Sequence, residues 1–136
     1  MSLTILVTDP NIGFAMMLQQ TLEASGRFKV VIAQSGAQAL SAAKDAAFDL
    51  AIVESELEDF SLGDLVVGLR SRLPNLAIMV IPPFGAKELG DTTILDLQGA
   101  LPKPFYLPKL ESMVDEALAQ PVHGKMRTDS QEKTVT

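Results

Sequence analysis

Glu54 closes an apolar run, Phe48-Asp49-Leu50-Ala51-Ile52-Val53-Glu54-Ser55, and two further charged residues stand at comparable places. Asp9 follows Thr4-Ile5-Leu6-Val7-Thr8, and Lys103 follows Ala100-Leu101-Pro102. An unbroken apolar run without polar alternation is what a strand buried on both faces of a parallel sheet looks like. In open α/β sheets, ligands and chemistry gather at the carboxyl ends of such strands. At that end the third strand carries the carboxylate of Glu54. Other chemistries lack their residues. The chain has no cysteine, its single histidine, His123, lies near the C-terminus, and no Ser, His and acid set falls on strand ends. Neither Gly-x-Gly-x-x-Gly nor Gly-x-x-x-x-Gly-Lys-Ser/Thr occurs, and the loop Thr8 to Gly13 offers acid where a phosphate needs N–H donors. A bound flavin or nucleotide is therefore not expected.

The elements that position these residues alternate strand and helix. Thr4 to Thr8 is a first strand, followed by a helix over Ile12 to Ser25 with Phe14, Met17, Leu18 and Leu22 on one face, capped by Asp9 or Asn11 and stopped by Gly26. Phe28 to Ala33 is a second strand, Ala37 to about Ala46 a helix, and Phe48 to Val53 the third strand. Leu62 to about Arg72 is a helix, and Leu76 to Ile81 a fourth strand that Pro82-Pro83 ends, since proline donates no ladder bond. The segment Gly85 to Leu97 is the weakest helix, because Gly90 and Thr92-Thr93 lower its propensity. Ala100 to Pro102 is a brief fifth strand, Lys103-Pro104-Phe105 a turn, and Leu107 to Ala119 the last helix, buried through Leu110, Met113 or Val114, and Ala117. Repeated strand-helix units imply parallel strands with right-handed crossovers, an α/β fold.

The 136 residues, 47% hydrophobic, suffice for one domain over residues 1–119, with 120–136 expected as a disordered tail or linker. A net charge of −6 argues against a nucleic-acid footprint, which needs clustered Lys and Arg. The acidic cluster Glu54, Glu56, Glu58 and Asp59 reads as a solvated loop. No apolar run approaches the ~18 residues of a membrane span, and the N-terminus lacks a basic region before a hydrophobic stretch, so the cytoplasm is the expected setting.

Five such units, an acid ending the first strand, another ending the third, and Lys103-Pro104-Phe105 after the fifth together resemble the receiver domain of bacterial two-component response regulators. The likeness covers residues 3–119 and includes Ile5 to Asp9, Ser35 to Leu40, and Phe48 to Val53. It implies a three-layer, flavodoxin-like fold with a five-stranded parallel sheet in the order 2-1-3-4-5, a strand order for which this family is itself a type example. It also implies transfer of a phosphoryl group to an aspartate ending the third strand. There Mg²⁺ is held by acids, a lysine meets the phosphoryl oxygens, and a Ser or Thr ending the fourth strand binds another oxygen.

The chain departs from that pattern. The phosphoacceptor position is Glu54, the second acid of the first strand is Pro10, the hydroxyl position is Pro82, and the aromatic switch position is Ala100; Asp9 and Lys103 are kept. A methylene too many misplaces the reacting oxygen by roughly 1 Å, worth ~10²-fold in rate. Loss of an acid leaves Asp9 and Glu54 as weak candidates for Mg²⁺, so no cofactor is expected. The resemblance therefore implies a pseudo-receiver: a non-enzymatic interaction module in which Glu54, paired with Lys103, mimics the active state. The alternative is a working receiver phosphorylated on Asp9 or Glu54 with an altered metal site. Expected partners are another protein, of the histidine kinase or signalling effector class, or a second copy of the chain. They would meet the fourth helix, fifth strand and fifth helix at Lys87, Glu88, Asp91, Lys109 and Glu116.

Overall fold

A computed structural model describes residues 2–83, 85 and 93–123. Five strands, β1 (Leu3–Thr8), β2 (Phe28–Ala33), β3 (Leu50–Glu54), β4 (Ala77–Ile81) and β5 (Gly99–Ala100), form one parallel sheet in the order β2-β1-β3-β4-β5. The α-helices among the described residues are α1 (Ile12–Glu23), α2 (Gly36–Asp45), α3 (Leu62–Arg72) and α4 (Leu110–Ala119).

The central strands are apolar throughout because both faces are covered. Ile5, Val7, Leu50 and Ile52 pack with Leu18, Leu22, Leu110 and Val114 of α1 and α4. Their neighbours Leu6, Ala51 and Val53 pack with Ala39, Ala43, Leu65 and Leu69 of α2 and α3. This alternation follows from the two-residue period of a strand. Each of the first three helices begins at a capping side chain. Asn11 Oδ1 accepts from Phe14 N at 3.0 Å, Ser35 Oγ from Gln38 N at 3.1 Å, and Ser61 Oγ from Asp64 N at 3.1 Å. Arg27 ties the start of β2 to α4 by donating to Glu111 and, at 2.7 Å, to Asp115, and these two carboxylates raise its pKa.

Several boundaries differ from the sequence expectation. The first helix ends at Glu23, two residues early, and Gly26 takes the left-handed φ of 80° that turns the chain into β2. The fifth strand is Gly99–Ala100 rather than Ala100 to Pro102; Leu101 N still donates to Val80 O at 2.8 Å, but Pro102 has no N–H to continue. The last helix opens as a 3₁₀ turn over Leu107–Lys109, and α4 starts only at Leu110. Of the expected helix Gly85 to Leu97, the described part holds a 3₁₀ turn, Thr93–Leu95, and the rest lies outside the described residues. Beyond α4, the described residues to His123 bond to the domain. Pro121 O accepts from Gln98 Nε2 at 3.2 Å, and His123 bonds to Asp96. Residues 124–136 lie outside the described residues.

The β3–α3 loop is pinned over α2. Asp59 accepts from Gly36 N at 3.1 Å and Ala37 N at 2.9 Å, bonds at the positive end of a helix that hold its carboxyl below the usual range. A Cβ at Gly36 would lie 2.5 Å from Phe60 Cδ2, so the ring presses on bare backbone. Gly36→Ala, favourable by helix propensity alone, should instead destabilise by about 1–3 kcal/mol through overpacking. A urea midpoint equal to or above that of the parent would show that the loop yields freely.

Candidate functional site

Asp9, Glu54 and Lys103 converge at the carboxyl edge of the sheet. Lys103 Nζ lies 3.8 Å from Asp9 Oδ2 and 3.8 Å from Glu54 Oε1, within ion-pair range of both and too far for a good hydrogen bond to either. The side chains are sheltered, with 3% of Asp9, 14% of Glu54 and 23% of Lys103 exposed. Each carboxylate also receives a backbone N–H. Asp9 Oδ1 accepts from Asn11 N at 2.9 Å, and Glu54 Oε2 from Glu56 N at 3.3 Å. Asp9 Oδ2 is left facing the ammonium with no hydrogen-bond partner, and the buried Thr8 Oγ1 and Ser55 Oγ also lack one among the described residues.

The ammonium is positioned by its surroundings. Lys103 Nζ sits 4.0 Å from the centre of the Phe14 ring, a cation–π contact, and Phe14 meets Phe105 edge-on at 6.2 Å. The Lys103–Pro104 peptide is cis, and Lys103 O accepts from Gly85 N at 3.1 Å. Sequence reasoning placed Phe14 in the core stripe of α1 and missed its second role; an aromatic one turn into a helix that starts beside the site was the available signal.

The remaining sequence-predicted residues fall around this cluster or away from it. Pro10 is exposed after Asp9, and Pro82 is buried after β4, contributing no hydroxyl. Ala100, half-buried, lines a pocket of about 140 Å³ between β5 and α4 together with Gly99, Met79 and Met113. Lys109 and Glu116 are exposed on the last helical segment, whereas Lys87, Glu88 and Asp91 lie outside the described residues. His123 is remote in role: its ring and N–H engage Asp96. Among the described residues, no three His, Cys, Asp or Glu side chains gather as a metal site, and no helix is long and apolar enough to cross a membrane.

Burial raises the pKa of Glu54 above its ordinary 4.5; the Glu56 N–H opposes this, neighbouring Asp9 adds to it, and Lys103 offsets part. The cluster thus carries two negative charges against one positive, with the carboxylates partly desolvated.

A parallel sheet in this order, with acids ending β1 and β3 and a lysine after β5, is the plan of a CheY-like receiver domain. Comparison with solved structures agrees with that fold. The chain is 28% identical over 119 residues to the transcriptional regulatory protein ZraR of Klebsiella oxytoca, a match spanning 85% of this chain but 26% of that protein. Chemotaxis response regulator CheY4 of Vibrio cholerae has the same fold, with a TM-score of 0.76 at 22% identity, over 86% of this chain and 99% of the other. A sensor protein from Polaromonas sp. JS666 matches with a TM-score of 0.75 at 28% identity, over 85% of this chain and 95% of the other. No protein-family model matches the chain.

Two expectations follow from the charges. Lys103→Met leaves two sheltered carboxylates facing each other and should lower stability at pH 7 by roughly 1–3 kcal/mol, recovered in part by adding Asp9→Asn. An unchanged urea midpoint in Lys103→Met would show that the ammonium contributes nothing to the fold. For Glu54 the sign is set by its raised pKa: above pH 4.5 the native state holds this proton more tightly than the unfolded chain, so the Glu54 contribution to stability falls as pH rises. The melting temperature of Glu54→Gln relative to the parent should therefore increase between pH 4.5 and pH 7; a constant difference would contradict the assigned direction.

Proposed function

We propose that this receiver domain is a pseudo-receiver, an interaction module that works without aspartyl phosphorylation. The observation that carries the reading is the position of Lys103 Nζ, 3.8 Å from both Asp9 and Glu54. In the family this chain resembles, the lysine meets an incoming phosphoryl group; here its neighbours are the chain's own carboxylates. Glu54 reaches one methylene further than aspartate and holds negative charge toward Lys103 continuously, in the manner of an activated site. Pro82 offers no hydroxyl to bind a phosphoryl oxygen, and Ala100 has no ring to reorient.

The residues present are a poor match to Mg²⁺. Pro10 stands where a second acid would be, and the two remaining carboxylates share an ammonium and each accept a backbone N–H on one oxygen. A hard ion demanding near-octahedral oxygen geometry gains little there. The domain in this reading is neither an enzyme nor a metal-dependent switch. Its partner is another protein, of the histidine kinase or effector class, or a second copy, engaged through the face that carries Lys109 and Glu116.

One observation favours a second reading. Asp9 and Lys103, retained from the family's pattern, lie 3.8 Å apart beside Glu54, as a receiver phosphorylated on Asp9 or Glu54 with an altered metal site would need. Incubation with Mg²⁺ and acetyl phosphate, followed by intact mass spectrometry under conditions that preserve acyl phosphates, separates the two. The pseudo-receiver keeps its mass while a control receiver is labelled; addition of one phosphoryl group sinks this proposal and supports a working receiver.

A further inference from the structure

At the entrance to β5, a single amide side chain joins four pieces of the chain. Gln98 is buried, and its Oε1 accepts from Ile78 N of β4 at 2.8 Å and from Arg70 Nη2 of α3 at 2.7 Å. Its Nε2 donates to Asp96 O at 2.9 Å and to Pro121 O, beyond α4, at 3.2 Å. All four hydrogen-bonding positions of the amide are used. Arg70 reinforces the same turn through Leu95 O and Asp96 O, each at 2.7 Å, and also donates to Leu76 O, just before β4, at 3.2 Å.

Asp96 completes the arrangement. Its φ of 56° is left-handed, a conformation that Asp tolerates better than most residues, and it turns the carboxylate onto the segment after α4. One oxygen accepts from His123 N, and the other lies 3.2 Å from His123 Nδ1. Pro121 and His123 are themselves exposed and Val122 is only half-buried, so polar bonds do much of the holding. Segments past a terminal helix ordinarily fray unless they are tied down.

The geometry points to an exit clasp: Arg70, Gln98 and Asp96 capture Pro121 to His123 and fix the direction in which the chain leaves α4. The clasp stands apart from Asp9, Glu54 and Lys103 and does not depend on how that site works. Because the amide that completes the β4 edge is the same one that holds the exit, displacement of the turn before β5 also releases the segment after α4. A partner that shifts this turn is therefore felt by whatever the chain carries beyond residue 123, and polar bonds of modest net strength make the release reversible.

Amide hydrogen exchange on the 136-residue chain, read residue by residue by NMR, tests this. The His123 amide should exchange at least ~10-fold more slowly than an unstructured peptide. Asp96→Gly suits the left-handed backbone and deletes only the carboxylate; it should return His123 to the peptide rate while leaving the amides of β4 and α4 unchanged. Gln98→Glu keeps the acceptor for Ile78 and Arg70 but removes both donors, and should also speed exchange at Val122 and His123 without unfolding β4. Peptide-like exchange at His123 in the parent, or unchanged exchange there in both variants, overturns the clasp.

Discussion

One ammonium answers two carboxylates at a sheltered end of the sheet, and much of the surrounding structure serves to keep the three groups there. Asp9 and Glu54 are delivered by adjacent parallel strands, so their separation is set by the β1–β3 pairing. Lys103 arrives from the far side of β4, through a two-residue edge strand, and is steadied by Phe14 from the helix that follows Asp9. The loop after Glu54 is fastened to α2 by Asp59 and Phe60. Four separate elements thus converge on one charge balance, and none can move far without breaking it.

That convergence explains what the sequence revealed and what it did not. β1, β3 and β4 were legible because helices on both faces demand continuous apolar runs, and a run such as Leu50 to Val53 admits few other readings. Glu54 was legible from its strand end, whereas Asp9 and Lys103 joined it through the resemblance to receiver domains. The edge was harder. Gly99–Ala100 has two residues, too few for any pattern, and its place is fixed by hydrogen bonds to Ile78 and Val80 carbonyls. Gln98 and Arg70 are 28 residues apart, and their bond leaves no periodic trace. The bonds of Pro121 to His123 leave no trace in the sequence for the same reason: composition reports the absence of an apolar stripe, and these residues are held largely by polar groups.

The balance at Glu54 bears on what the site is for. If the Lys103 attraction dominated, the carboxyl would titrate below its ordinary value; instead burial and Asp9 outweigh the ammonium and the value rises. The charge on Glu54 therefore costs the fold stability at neutral pH. Pairs of this kind are weak evidence for stabilisation, since a neutral side chain of similar shape is often tolerated as well or better. A glutamine would retain the backbone bond to Glu56 and remove the repulsion from Asp9. The ion pair of Glu54 with Lys103 and its bond from Glu56 N offset part of the cost of the charge. The 3.8 Å distances from Lys103 to both carboxylates leave a negative group held beside the ammonium, which is the arrangement the proposed pseudo-receiver uses.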